Sequence, residues 1–212
     1  MKQVLLNQTH NNKLIACLSR AQKKFSAFFG FKLDIPAVFF VESRTEVDQI
    51  FKRKTEPWLS AWVKNDSIFT LDPKIYTRES IHEANHFWGA LQHEYCHLYF
   101  CKLTGVNFPK WLNEGVACYL AGQKKQKPIK VNALKITDFY FKNLDKYIYG
   151  VGYFWVELLI NRFGKSKLLR LIKTINPSTT QNEFAKNFLE VFKFQLKDEE
   201  LKNFLNKGNG CK

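Results

Sequence analysis

The chain has no C-x-x-C pair and no even set of cysteines; its five are Cys17, Cys96, Cys101, Cys118 and Cys211. That count and spacing speak against a disulfide framework, and reduced thiols of a cytoplasmic protein are the expectation. Long apolar runs are absent as well. No stretch is long enough to span a bilayer, and the opening MKQVLLNQTHNNK offers only three apolar residues before polar ones resume, so no signal-peptide core is read there. Acidic residues are scarce, 19 against 33 Lys+Arg, which leaves a formal net charge of +14. Such a surface could attract nucleic acid, an anionic membrane or acidic substrates. The lysines are scattered, however, and the densest run, Lys124 to Lys130, is interrupted by Gln and Pro. No nucleic-acid-binding module is recognisable, so a basic, solvated surface is the plainer reading. Repeats and low-complexity segments are missing too.

What the chain does have is apolar mass. Of 212 residues, 45% are hydrophobic and 16% aromatic, with 20 Phe, which excludes disorder and predicts a well-filled core. Apolar residues at Leu14, Ile15, Leu18, Ala21, Phe25, Phe28 and Phe29 predict an amphipathic helix from Lys13 to Phe29, stopped by Gly30. Ala37–Val41 reads as a buried strand and Thr45–Lys54 as a short helix. Trp58–Lys64 and Ser67–Leu71 read as paired strands turning at Asn65-Asp66. From about Glu79 to Leu103 there is no Pro and one Gly, which predicts a single long helix. A second helix follows over Lys110–Ala121, ended by Gly122. After the basic loop Gln123–Asn132 the pattern is wholly helical: Thr137–Asp145, Tyr149–Phe163, Lys165–Ile175, Gln181–Phe192 and Asp198–Asn206.

The chemistry is concentrated between Leu91 and Leu120. His93-Glu94-x-x-His97 lies in the long helix, and after sixteen intervening residues Glu114 stands within Trp-Leu-Asn-Glu-Gly. Residues four apart on a helix are offset by about 40° and about 6 Å along the axis, so His93 and His97 can close on one metal ion. Glu94 points to the neighbouring side, where it can hold a water on that metal. Two histidines, one carboxylate and an open position make a catalytic rather than a structural zinc site. A rival match, His82-Glu83-x-x-His86, stands eleven residues upstream of the first. Its neighbours Arg78, Glu79, Ser80 and Asn85 suit a solvated helix start, whereas Ala90-Leu91 and Leu98-Tyr99-Phe100 suit an inward-facing active-site helix. The downstream copy is therefore preferred, and the upstream one reads as an accidental resemblance.

HEYCH followed by WLNEGVA resembles the gluzincin metallopeptidases, specifically the aminopeptidase and leukotriene-hydrolase branch and its small "peptidase MA-like" relatives. Tyr149-Gly-Val-Gly152, opening FWVELLINRFG, is similar to that family's Tyr-x-x-Gly segment. The resemblance spans roughly Ile35 to Phe192 and implies a zincin-like α+β fold: a small mixed sheet, an active-site helix, a second ligand-bearing helix and a mostly helical C-terminal lobe. It implies one Zn2+ held by His93, His97 and Glu114, with Glu94 as general base and Tyr149 as oxyanion donor, Tyr147 being the alternative. The expected boundary falls at 132/133, between a catalytic subdomain and a helical lobe that completes the active site.

Departures from the family's pattern limit what carries over. The exopeptidases' Gly-x-Met-Glu-Asn stretch has no counterpart in Ser67-Ile-Phe-Thr-Leu71, so aminopeptidase specificity is not implied. Where thermolysin-type enzymes have Asp four residues after the ligand Glu, this chain has Cys118. The expected function is a zinc-dependent peptidase acting on peptides or flexible protein segments. Ser67, Ile68 and Phe69 are expected to form an edge strand that pairs with an extended substrate. The alternative is a basic regulatory or nucleic-acid-associated protein on a zincin scaffold, either non-catalytic or cleaving one specific partner.

Overall fold

Asn65 and Asp66 both adopt positive φ, 49° and 55°. That is what a two-residue type I′ hairpin turn demands, and Asn and Asp tolerate it better than other non-glycine residues. The turn joins β3 (Ala61–Lys64) to β4 (Ser67–Leu71), with Lys64 opposite Ser67 and Ala61 opposite Thr70. The computed structural model describes residues 2–4, 11–124, 140 and 147–196. Within it β4 also pairs in parallel with β2 (Val38–Val41), which pairs antiparallel with β1 (Lys2–Val4). The sheet order is β1-β2-β4-β3. Ser67, Ile68 and Phe69 therefore lie in an inner strand, hydrogen-bonded on both sides, and not in the edge strand expected of them. The hairpin partner β3 takes the edge because the non-local parallel pairing with β2 occupies the other side of β4.

Two compact units divide the chain: Met1–Tyr99 with Leu120–Gly122, and Phe100–Tyr119 with Gln123–Lys212. The division runs inside a helix. In the first unit the sheet's two faces have different partners. Phe39, Phe69 and Trp62 share one register row and stack at 4.8 and 5.6 Å between ring centroids. Phe51, from α2 (Arg44–Phe51), meets Trp62 edge-on at 5.2 Å. From the opposite face Phe40 reaches Phe87, at 6.3 Å. Phe87 lies in the first turn of α4 (His86–Thr104).

The long helix is shorter at its start than its composition predicts. Tyr76–Glu79 forms a separate short helix, α3, and residues 80–85 bend before α4 begins. Local polar bonds make the break: Ser80 Oγ donates to the Tyr76 carbonyl at 2.6 Å and accepts from the His82 amide at 3.2 Å. Such side-chain bonds offer the backbone an alternative to the helix ladder. Behind α4 packs α1 (Asn11–Phe29). Phe25 meets Tyr95 and Tyr99 edge-on at 5.8 and 5.6 Å, and Phe29 stacks on Tyr99 at 5.4 Å. Tyr95 Oη donates to the carbonyls of Leu33 and Asp34, while Tyr99 Oη bonds Ser26 Oγ at 2.9 Å.

The second unit contains α5 (Lys110–Leu120), α6 (Tyr147–Phe163), α7 (Lys165–Ile172) and α8 (Gln181–Phe192). Gly164, at φ 85°, makes the turn between α6 and α7. Thr180 and Glu183 cap α8 reciprocally, a full capping box. Where α5 crosses α6 the backbones touch: a Cβ on Gly115 would lie 2.2 Å from the Gly152 carbonyl oxygen, and one on Gly152 would lie 2.3 Å from that of Trp111. Except for Lys124, the basic run Lys124–Lys130 falls outside the described residues, as do the rest of the loop to Asn132, the predicted helix Asp198–Asn206 and, except for Tyr140, the predicted helix Thr137–Asp145. Among the described residues no helix is long and apolar enough to cross a membrane. No disulfide joins the four described cysteines, and Cys17, Cys96 and Cys118 are buried.

One guanidinium gathers much of the loop from Lys52 to Ser60. Arg44 donates to the backbone carbonyls of Glu56, Pro57, Leu59 and Glu79 and to Thr55 Oγ1. Asp48 accepts from the Thr55 hydroxyl at 2.6 Å and its amide at 2.8 Å, and these bonds hold its carboxyl below the usual range. Arg44→Ala should lower stability by on the order of 3 kcal/mol, since bonds from a charged donor are worth more than neutral ones; urea unfolding checks it. A carboxyl with a depressed folded pKa stabilises above its unfolded pKa and loses that contribution as pH falls through the folded one. Asp48→Asn should therefore lower the urea midpoint at pH 7, and the difference from wild type should shrink toward pH 3.

Candidate metal centre

His93 and His97 are brought together as their spacing requires. Their Nε2 atoms lie 3.0 Å apart, and the rings stand nearly perpendicular at 4.6 Å between centroids. The Glu94 carboxylate belongs to the same group: one donor atom from each of the three lies within 4.8 Å of the others. His93 is buried, at 5% exposure, and Glu94 and His97 are partly exposed. Tyr95 and Tyr99 follow the two histidines by two positions, about 200° around a helix. The aromatic contact with α1 thus braces α4 from the side away from the imidazoles.

This arrangement fits a zinc ion on its donor chemistry. Nitrogens that share a tetrahedral zinc at about 2.0–2.1 Å each stand roughly 3.3 Å apart, a few tenths from the separation found. As a hydrogen bond, the 3.0 Å contact needs one ring to donate and the other to accept. As ligands, both rings present lone pairs to the same point. The site is a paired donor set in either case.

The upstream match forms no such pair. His82 precedes α4 and His86 begins it, so the two do not share a helical face. Their ring centroids are 6.1 Å apart, and His82 Nε2 is 2.8 Å from the Trp58 carbonyl, a bond in which the ring donates. His82 also stacks on Tyr76 at 6.1 Å. It serves to tie the bend before α4 to the loop before β3.

Tyr76 is a neighbour of the site that no sequence motif announces. Its ring is 1% exposed and packs edge-on against Phe87 at 5.3 Å. Its hydroxyl bonds Ser60 Oγ at 3.0 Å. Burial pushes the phenol's pKa up, the Ser60 bond pulls it down, and the Glu94 carboxylate adds a further rise. Tyr76 is thus within electrostatic reach of Glu94. It sits in a four-residue helix with no periodicity to mark it, which is why sequence reasoning passed over it.

Glu114 and Tyr149 belong to the second unit. Glu114 is buried in α5, between Asn113 and Gly115. One turn earlier lies Lys110, whose ammonium pKa is pushed down by burial and back up by the carboxylate of Glu114 and, less, by Cys101. Tyr149 is the third residue of α6 and is partly exposed. Tyr153, one turn on, is committed elsewhere: its hydroxyl donates to Glu157 Oε1 at 2.8 Å, and burial first, then that carboxylate, push its pKa up to about 12. Tyr147 opens α6, and its side chain lies outside the described part.

The comparisons with known proteins return nothing: no family model, no curated protein and no solved structure matches this chain. The donor geometry gives a direct test. If the paired histidines bind zinc, purified protein should carry about one ion per chain. Elemental analysis should find it lost in His93→Ala and retained in His82→Ala.

Proposed function

We propose that the chain is a zinc-dependent peptidase of gluzincin type with a zincin-like fold. The observation that carries this reading is the paired Nε2 atoms of His93 and His97, 3.0 Å apart, with Glu94 in the same cluster. A structural role for zinc would be better served by four closed ligands, and it has no need of a carboxylate between the two histidines. His93 and His97 would hold the ion, with Glu114 as third ligand. Zinc, when bound, supplies a Lewis acid that polarises a carbonyl and lowers the pKa of water toward neutrality.

The chain's own residues then divide the remaining work. Glu94 takes the proton of the attacking water and returns it to the leaving amine, the two halves of general acid–base catalysis by one carboxylate. Tyr149 donates a hydrogen bond to the oxygen that gains charge as the carbonyl is attacked. An extended substrate would pair its backbone with an edge strand. With β4 inside the sheet, β3 is the strand that takes this role, and Trp62 and Val63 replace Ser67, Ile68 and Phe69 as its contacts. The substrate is a peptide or a flexible protein segment.

Glu94→Gln should abolish cleavage of a mixed peptide library while zinc stays bound. If wild type and Glu94→Gln are equally inert on every peptide, the non-catalytic scaffold is the better reading. Tyr149→Phe should lower kcat by about 10²–10³ with little change in KM, the usual effect of removing one oxyanion donor. An unchanged kcat in that variant would transfer the role to Tyr147.

A further inference from the structure

Gly115 and Gly152 stand apart from five other glycines of the chain. Added Cβ atoms at Gly30, Gly122, Gly150 and Gly164 would meet nothing within 4 Å, and one at Gly105 would approach only the Pro177 ring, at 3.2 Å. At Gly115 the added carbon would fall 2.2 Å from the Gly152 carbonyl oxygen and 2.8 Å from Val156 Cγ2. At Gly152 it would fall 2.3 Å from the Trp111 carbonyl oxygen and 2.9 Å from the Gly115 nitrogen. Ordinary contacts between heavy atoms begin near 3.5 Å. Side chains at these points would push α5 and α6 apart by about an ångström, because backbone atoms, unlike side-chain ends, cannot swing away.

The crossing lies where the chemistry is proposed to be. Glu114 immediately precedes Gly115 on α5. Tyr149 precedes Gly152 by three residues on α6, so it lies on an adjoining face, about 4.5 Å along the axis. Both helices belong to the same unit. We propose that Gly115 and Gly152 are positioning residues: their backbone contact fixes Glu114 and Tyr149 relative to each other, so that the third metal ligand and the oxyanion donor are set as one rigid pair. The proposal rests on the zinc-peptidase reading. It assigns a function to a glycine on a helix that carries no metal ligand.

The test is Gly152→Ala, with Gly150→Ala as its control two residues away. The readouts are metal affinity by competition with a chromophoric chelator, the visible spectrum of the Co2+-loaded protein, and the split of kcat from KM. Circular dichroism confirms that each variant is folded. Gly152→Ala should bind metal about 10–100-fold more weakly, as loss of an outer support does. Its Co2+ bands should shift, and kcat should fall about a hundredfold, the cost of a misplacement near an ångström. Gly150→Ala should match wild type in all three.

A folded Gly152→Ala with wild-type affinity, spectrum and kcat overturns the proposal, as does a Gly150→Ala that loses as much. Should Gly152→Ala fail to fold, Val156→Ile decides instead. It adds one methylene beside Gly115 and should show the same changes in smaller measure, whereas an unchanged spectrum overturns the proposal. Glu114→Ala separates the two levels. If it keeps wild-type metal affinity, Glu114 is no ligand and the zinc-site reading itself fails, taking the proposal with it. If it loses metal while Gly152→Ala does not, the reading survives and the proposal alone falls.

Discussion

Helix α4 has almost no solvent face. From Phe87 to Phe100 every residue is buried or partly so, with Leu91, Tyr95, Tyr99 and Phe100 fully enclosed. Polar groups in such a helix are costly unless they find partners. Two phenols settle that cost with hydrogen bonds to α1 and to the backbone of residues 33–34. The two imidazoles settle it against each other, at a spacing that suits a shared cation. The placement of the sheet on one side, α1 on another and the bend before His86 all follow from enclosing this helix while leaving that pair together. An amphipathic surface helix could carry the same five-residue motif and would owe nothing to it.

The Trp-Leu-Asn-Glu-Gly segment has a physical meaning beyond its resemblance. Trp111, Leu112 and Asn113 are each at most 3% exposed, and Trp111 meets Phe184 of α8 at 6.2 Å. Asn113 Nδ2 reaches the Asn107 carbonyl at 3.3 Å, which secures the loop entering α5. Only Glu114 in this segment ionises. The motif reads as one carboxylate surrounded by residues that leave it little freedom to move.

What could be read in the sequence was local. The Asn65-Asp66 turn, the amphipathic stripe of α1, the stop at Gly122 and the i, i+4 histidines all depend on residues a few positions apart. The sheet order was not legible, because the pairing of β2 with β4 joins segments some thirty residues apart and no composition rule announces it. That is why Ser67–Phe69 could look like an edge. The start of α4 was misplaced because residues 80–85 contain no Pro or Gly, and the helix is broken there by Ser80 and His82 side-chain bonds that only the folded chain reveals. The same long-range character hides the contact of Gly115 with Gly152, which two separate helices create.

Arg44 offers a last consequence. Four of its five acceptor groups are main-chain carbonyls, at Glu56, Pro57, Leu59 and Glu79. A bond to a carbonyl oxygen is indifferent to which side chain that residue bears. The segment from Glu56 to Leu59 is therefore open to change in sequence while its path stays fixed, so long as Arg44 and His82, which read its backbone, are kept. Freedom to vary and freedom to move, usually found together in loops, are separated here.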